Sequence, residues 1–92
     1  MNYNIKFEKG TLEDFKDAID YYEGISGNLA DKFHNEFWNK IDYIKGNPLH
    51  FQTKYRGIRI AHLKTFSFGI HFIIDEITIT VFKILHHKQY YK

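Results

Sequence analysis

The sequence predicts one α+β domain, residues 1–92, in which an antiparallel β-sheet packs on a helical hairpin in the order β-α-α-β-β-β. Two observations support this fold class. Three consecutive segments in the last third of the chain are rich in Ile, Phe, Val and Thr and are separated by short turns, as in a β-meander. Upstream, two longer segments repeat apolar residues at steps of three and four, as amphipathic helices do.

The N-terminal strand and the first helix come first along the chain. Residues 3–7 alternate apolar and polar side chains, which is the period of a half-buried strand. The following helix is predicted to start at a capping box formed by Thr11 and Asp14, with the threonine hydroxyl accepting a free backbone amide. Its predicted buried stripe consists of Leu12, Phe15, Ala18, Ile19, Tyr22 and Ile25.

A second helix follows a break at Ser26, Gly27 and Asn28. We expect Gly27 to take a positive φ and Asn28 to cap the new helix. Pro48 ends the helix, because proline disfavours helical backbone at the residue before it. Since the link is short, the two helices should pack as an antiparallel hairpin on one sheet face. The second buried stripe consists of Ala30, Phe33, Phe37, Ile41 and Ile44.

Residues 47–54 are predicted to form a loop that leads into the meander. The three meander strands are predicted at residues 57–62, 68–74 and 77–85, with turns around Lys64 and at Asp75 and Glu76. Lys83 interrupts an otherwise apolar strand. The sheet face that carries this lysine is therefore not expected to be fully buried by the helices.

The amino-acid composition limits the classes of protein to which the chain can belong. With 43% hydrophobic and 18% aromatic residues, the chain is expected to fold rather than to stay disordered. It has no cysteine, so neither a disulfide framework nor thiolate chemistry is available. It shows no apolar run near the ~20 residues of a membrane span and no signal-peptide pattern at the N-terminus. We therefore expect a cytoplasmic protein without membrane contact.

Charge is distributed unevenly along the chain, although the net charge is only +2. Residues 1–46 contain six lysines and nine acidic residues, for a formal charge of −3. Residues 47–92 contain seven lysines or arginines and two acidic residues, for a formal charge of +5. A basic sheet region favours an anionic partner, either nucleic acid or an acidic protein segment. The alternative is that the opposite charges only attract each other within the domain.

Several short motifs occur in a fixed order along the chain. They are Asp20-Tyr21-Tyr22, Leu29 to Phe33, Asn47-Pro48, Ile58-Arg59, Leu63 to Phe72, and Ile79-Thr80-Val81 followed by Leu85-His86. In this order and spacing the chain resembles the RelE/ParE superfamily of toxins from bacterial type II toxin–antitoxin systems. The resemblance implies a small growth-inhibiting toxin, of the plasmid-stabilisation type, in a hetero-oligomer with a cognate antitoxin whose C-terminal segment wraps over it.

The two branches of the superfamily differ in chemistry. RelE-like members cut mRNA on the ribosome and need cations to stabilise the phosphorane, whereas ParE-like members bind and inhibit DNA gyrase. The resemblance places the RelE-like lysines near Ile60 and His62 and an arginine at Gly69. Because most of the nuclease set is missing or substituted, we favour a ParE-like toxin that acts by binding. The alternatives are a ribosome-dependent mRNA endoribonuclease and a degenerate toxin that serves only as an interaction domain.

Candidate site residues follow from both hypotheses. The predicted target- or antitoxin-binding residues are Arg56, Arg59, Lys64, His62, Lys83, His87 and Tyr90. If the chain is a nuclease, the resemblance makes His86 and Lys88 the catalytic candidates. Histidines also lie within the predicted strands at positions 62 and 71, where a hydrogen-bonded strand residue without chemistry is the alternative. The absence of cysteine and of a His-x-x-x-His spacing predicts no metal site, and we expect no cofactor.

Overall fold

A computed structural model describes residues 3–86, which form two helices packed on one face of a five-stranded sheet. In chain order the elements are β1 (Asn4–Phe7), α1 (Lys9–Glu23), α2 (Gly27–Gly46), a 3-10 helix (Pro48–His50), β2 (Thr53–Tyr55), β3 (Ile58–His62), β4 (Phe68–Asp75) and β5 (Thr78–His86). The predicted α+β fold, with its helical hairpin and its meander, is confirmed.

The sheet has the strand order β1-β5-β4-β3-β2. Strands β3, β4 and β5 pair antiparallel, as the meander predicts. Strand β1 pairs parallel with β5, so the sheet is mixed rather than wholly antiparallel. Strand β2 begins within the segment predicted as a loop, residues 47–54, and adds an edge strand to β3. Its turn into β3 is tight, with positive φ angles at Arg56 and Gly57.

A β-bulge divides β5 into two halves. His71 of β4 pairs with Lys83, whereas the next residue, Phe72, pairs with Val81, so Phe82 is an extra residue in β5. Because side chains alternate along a strand, the extra residue reverses which face each later side chain takes. As a result Val81 and Ile84 both face the helices, although they are three residues apart.

The core lies between the helices and the sheet. The predicted stripe of α2 is buried in full, as Ala30, Phe33, Phe37, Ile41 and Ile44. The predicted stripe of α1 is only partly right, because Leu12 is 51% and Ile25 is 59% exposed. Thr11 is buried in place of Leu12, and Ile25 lies beyond the end of the helix. Within residues 3–86, neither helix combines the length and the apolarity needed to cross a bilayer.

The predicted helix starts are wrong in detail. Helix α1 begins at Lys9, and the Thr11 hydroxyl donates to the Val81 carbonyl oxygen at 3.1 Å instead of capping the helix. Helix α2 is capped by Ser26, whose Oγ accepts from the Leu29 amide at 3.1 Å, while Asn28 lies inside the helix. Gly27 is not among the positive-φ residues. The Thr11 hydroxyl is therefore used in a hydrogen bond to a residue that is distant in the sequence, and a local sequence pattern does not show such a contact.

Candidate interaction site

The face of the sheet that the helices leave open carries a basic cluster, which we call the basic sheet face. It consists of His62 on β3, His71 on β4 and Lys83 on β5. His71 pairs with Lys83 on one side and with Ile60 on the other, and paired residues project to the same face. Three strands therefore bring three basic side chains onto one surface.

Gly69 lies beside His62 and leaves space for the side chain of Ile60. The two residues pair across β3 and β4. A Cβ atom added to Gly69 would lie 2.9 Å from Cγ2 of Ile60 and 3.5 Å from Nδ1 of His62. The isoleucine methyl thus occupies the room that a side chain at this position would take, whereas the imidazole ring would only be in ordinary contact with it. Gly69 therefore leaves room for the buried side chain of Ile60 on this face.

The charge of a side chain on the basic sheet face depends on how deeply that side chain is buried. His71 is only 1% exposed, and its burial, together with the nearby charges of His62 and Lys83, lowers its pKa. At neutral pH His71 is consequently uncharged. His62 and Lys83 are exposed. A neutral imidazole thus lies beneath an exposed lysine and an exposed histidine, an arrangement that attracts carboxylate or phosphate groups.

Arg59 and Arg56 lie away from this cluster. The Arg59 guanidinium lies on the helix side and donates to the carbonyl oxygen of Phe51, so it fastens the segment after α2 to the sheet. Arg56 is exposed in the turn between β2 and β3, at the end of β3 opposite His62. Neither arginine joins the basic sheet face. Their predicted binding role stays a prediction.

Lys64 lies in the loop between β3 and β4, beside a carboxylate of α2. The Glu36 carboxylate accepts from the Thr65 amide at 2.8 Å. Burial on its own would raise the pKa of Glu36, but hydrogen bonds from the Thr65, Lys64 and Phe66 backbone outweigh it and lower the pKa. The ionised Glu36 carboxylate thus binds the loop between β3 and β4 to α2 through these hydrogen bonds. Lys64 belongs to a mixed-charge surface next to α2.

His86, the histidine predicted to be catalytic, lies on the helix side. Its ring packs edge-on against Phe68 with 5.2 Å between centroids. It lines a groove of about 630 Å³ together with Asp14 and Asp17 of α1, and none of the described lining residues is a lysine or an arginine. Cleavage of a phosphodiester needs cations close to the developing charge, which these neighbours do not provide.

Three predicted site residues, His87, Lys88 and Tyr90, lie outside the described residues. Of the remaining candidates, the structure brings together His62 and Lys83 and adds His71, which the predicted set of site residues omitted. The available signal was a single histidine inside an apolar run of β4. Within residues 3–86, no three His, Cys, Asp or Glu side chains group closely enough to hold a metal ion.

Comparison with known protein families shows which family the chain belongs to. The family model described as ParE toxin of type II toxin-antitoxin system, parDE, matches residues 5–91. The chain belongs to the ParE toxin family. A comparison with curated protein sequences finds no match. Membership in the ParE family confirms the resemblance to the RelE/ParE superfamily and agrees with the favoured branch.

A solved structure shares the ParE-family fold. It is titled "Chromosomal ParDE TA system from P. aeruginosa", and one of its chains matches with a TM-score of 0.81. The match covers 91% of this chain and 95% of that chain, at 16% sequence identity. At such low identity the likeness shows a common fold over nearly the full length of both chains.

Proposed function

We propose that this ParE-family chain is a toxin that acts by binding and inhibiting a cellular target, with DNA gyrase as the expected target, and that a cognate antitoxin neutralises it. The observation that carries the proposal is the packing around Gly69. The resemblance places the nuclease cations near Ile60 and His62 and at Gly69, and a methyl group of Ile60 occupies the room that a side chain at position 69 would take. Because lysine and arginine are missing from those positions, the cations that stabilise the phosphorane in RelE-like nucleases are not supplied there.

The basic sheet face is the proposed site for an acidic segment of the antitoxin. The family description and the ParDE title both associate such toxins with a toxin–antitoxin pair. Beside Lys83 and His62, the same face exposes Ile73, which lies two residues from His71 on β4 and is 38% exposed. An amphipathic segment with Asp or Glu beside aliphatic side chains complements this mixture of charge and apolar area.

The target is tested by expression and by biochemistry. Expression of the chain should arrest growth, and co-expression of an antitoxin encoded by an adjacent gene should restore it. Purified protein should block DNA supercoiling by gyrase while mRNA on ribosomes stays intact. Absence of growth arrest would show a degenerate toxin. Arrest with ribosome-dependent mRNA cleavage would contradict the binding mechanism.

The antitoxin site is tested by reversing one charge. Lys83→Glu should weaken antitoxin binding about ten-fold, because an acidic partner then meets a like charge. Lys45→Glu on α2 is the matched control, since Lys45 is also exposed, changes net charge equally and lies in the helix layer. Isothermal titration calorimetry measures both affinities. An equal loss in the two variants would show that only net charge matters and would refute the assignment to this face.

A second candidate, ribosome-dependent mRNA cleavage, is favoured by one observation. His62 and Lys83 are exposed on the same sheet face, where an imidazole can accept a proton and an ammonium group can stabilise a phosphate. In that case His62→Ala and Lys83→Ala should abolish cleavage of mRNA on ribosomes, and His86→Ala should leave it intact. Cleavage that depends on His86 instead would restore the site predicted from the sequence.

A further inference from the structure

A second surface feature lies on the other side of the sheet, between α1 and the strands β4 and β5. It is the groove of about 630 Å³ that His86 lines, and we call it the acidic groove. Helix α1 forms one wall with Asp14, Asp17 and Tyr21, and the sheet contributes Phe68 and Ile84. The volume lies within the roughly 300–1,000 Å³ range of ligand sites.

The wall formed by α1 follows helical spacing. Asp14, Asp17, Tyr21 and Ile25 recur at steps of three and four, so they line one side of α1 and its C-terminal end. Tyr21 is 66% and Ile25 is 59% exposed. Two large apolar side chains therefore border the groove without being needed to fill the core. Exposed apolar surface next to a concave site is typical of a protein contact.

The charge of the groove is opposite to that of the basic sheet face. Its two carboxylates come from Asp14 and Asp17, and no described residue of its lining is a lysine or an arginine. Asp20, exposed on the next turn of α1, adds to the negative potential. Phe68 and Ile84 supply apolar surface between the two walls. The groove thus combines an apolar floor with an acidic rim.

We propose that the acidic groove docks a short amphipathic segment of a second protein that carries Lys or Arg beside aliphatic side chains. The aliphatic side chains would cover Phe68, Tyr21 and Ile25, and the cations would pair with the two carboxylates. The inference goes beyond the proposed function, because an acidic antitoxin segment on the basic sheet face does not suit this groove. It holds whether or not gyrase is the target.

The experiment uses the full chain and a synthetic probe. The probe is a twelve-residue peptide with leucine and lysine at helical spacing, and the matched peptide has glutamate in place of lysine. In NMR titrations the leucine–lysine peptide should shift the backbone amide signals of Ala18, Tyr21 and Phe68. The leucine–glutamate peptide should leave those signals unchanged.

Removing the two carboxylates measures how much the acidic rim of the groove contributes to the affinity for the peptide. Asp14→Asn with Asp17→Asn should weaken binding of the leucine–lysine peptide about five-fold. Asp31→Asn with Asp42→Asn, at exposed positions on α2 outside the groove, is the matched control and should keep the parent affinity. Circular dichroism confirms that all variants fold. Affinity that is equal in both double variants would overturn the proposal.

Two further results would overturn it by naming another occupant. If Lys88→Glu with Lys92→Glu increases the affinity of the leucine–lysine peptide, the chain's own C-terminal residues occupy the groove. If the protein is a dimer in sedimentation equilibrium and Tyr21→Ser converts it to a monomer, a second copy occupies it. Tyr55→Ser is the control for the dimer test, because Tyr55 is 48% exposed on the edge strand β2.

Discussion

The basic sheet face and the acidic groove share the strands β4 and β5, yet they offer opposite charge. Within β5, Lys83 belongs to the basic sheet face and the adjacent Ile84 to the acidic groove. Within β4, His71 and Phe68 divide in the same way. Alternation along a strand thus lets one pair of strands contribute to two surfaces of different charge. Residues that are adjacent in the sequence, such as Lys83 and Ile84, therefore belong to different surfaces.

The bulge at Phe82 fixes which residues each surface receives. If alternation continued unbroken from Ile79 and Val81, Lys83 would point into the core and His86 would point to the open face. The extra residue reverses both positions. The bulge therefore avoids an unpaired buried lysine, which is costly, and places a cation where an anionic partner can reach it.

The largest effect is expected when a side chain is introduced at Gly69, beside His62 on the basic sheet face. Gly69→Arg should destabilise the fold by about 1–3 kcal/mol, because the new Cβ would lie 2.9 Å from a methyl group of a stiff, buried isoleucine, Ile60. Urea denaturation measures the loss. The acidic groove should keep its affinity for the leucine–lysine peptide.

Gly10→Ala is the control for that substitution. A Cβ added to Gly10 meets nothing within 4 Å, and α1 should gain up to about 1 kcal/mol from the better helix former. Stability of Gly69→Arg equal to that of the parent would show that the space above the sheet is open. The packing argument against the nuclease would then fail.

A smaller effect is expected on the helix side, where Thr11 ties α1 to β5. Thr11→Val removes the hydroxyl that donates to the buried Val81 carbonyl and should lower the free energy of unfolding by about 1 kcal/mol. Thr11→Ser keeps the hydroxyl and should recover most of the hydrogen-bond contribution in chemical denaturation. If serine does no better than valine, packing rather than the hydrogen bond holds this wall of the groove.

The smallest effect is a dependence of stability on pH. The pKa of His71 is lowered in the folded protein by burial and then by His62 and Lys83, so the unfolded chain binds the proton first as pH falls through about 6.5. Stability should therefore decrease between about pH 7.5 and pH 5.5, with a slope of at most about 1.36 kcal/mol per pH unit for one proton.

His71→Asn should flatten that slope in denaturation series at several pH values. The exposed residue His34 provides the control variant His34→Gln, in which the slope contributed by His71 should remain. An unchanged slope in His71→Asn would show that His71 is not the titrating group. The pH dependence of stability would then have to come from another titratable group.

Periodicity predicted those elements that bury one face. The stripe of α2 and the three meander strands agree with the structure to within a residue or two, since their patterns reflect burial against each other. Strand β2 escaped prediction because all three of its residues are exposed and it exists only through pairing with β3. The parallel pairing of β1 with β5 depends on topology, which local patterns do not encode.

The candidate site was less predictable than the fold. Lys83 was identified correctly as a polar interruption on an open face, because a charge inside an apolar strand has few alternatives. His86 was assigned by resemblance, and its surroundings on α1 are acidic. His71 lacked a local signal that separates it from an inert strand residue. Its environment arises from β3 and β5, which only the folded sheet brings beside it.

The position of β5 between β1 and β4 bears on how the chain is made. Strand β1 leaves the ribosome early, but its only neighbour in the sheet is translated after every other described element. Until then its amides have no strand to pair with, and α1 lacks the carbonyl that Thr11 binds. Helices can form locally during translation, whereas the sheet closes only once β5 is available. Pairing of β1 is therefore among the last steps of folding, and chaperones or a partner protein have that interval in which to meet its unpaired edge.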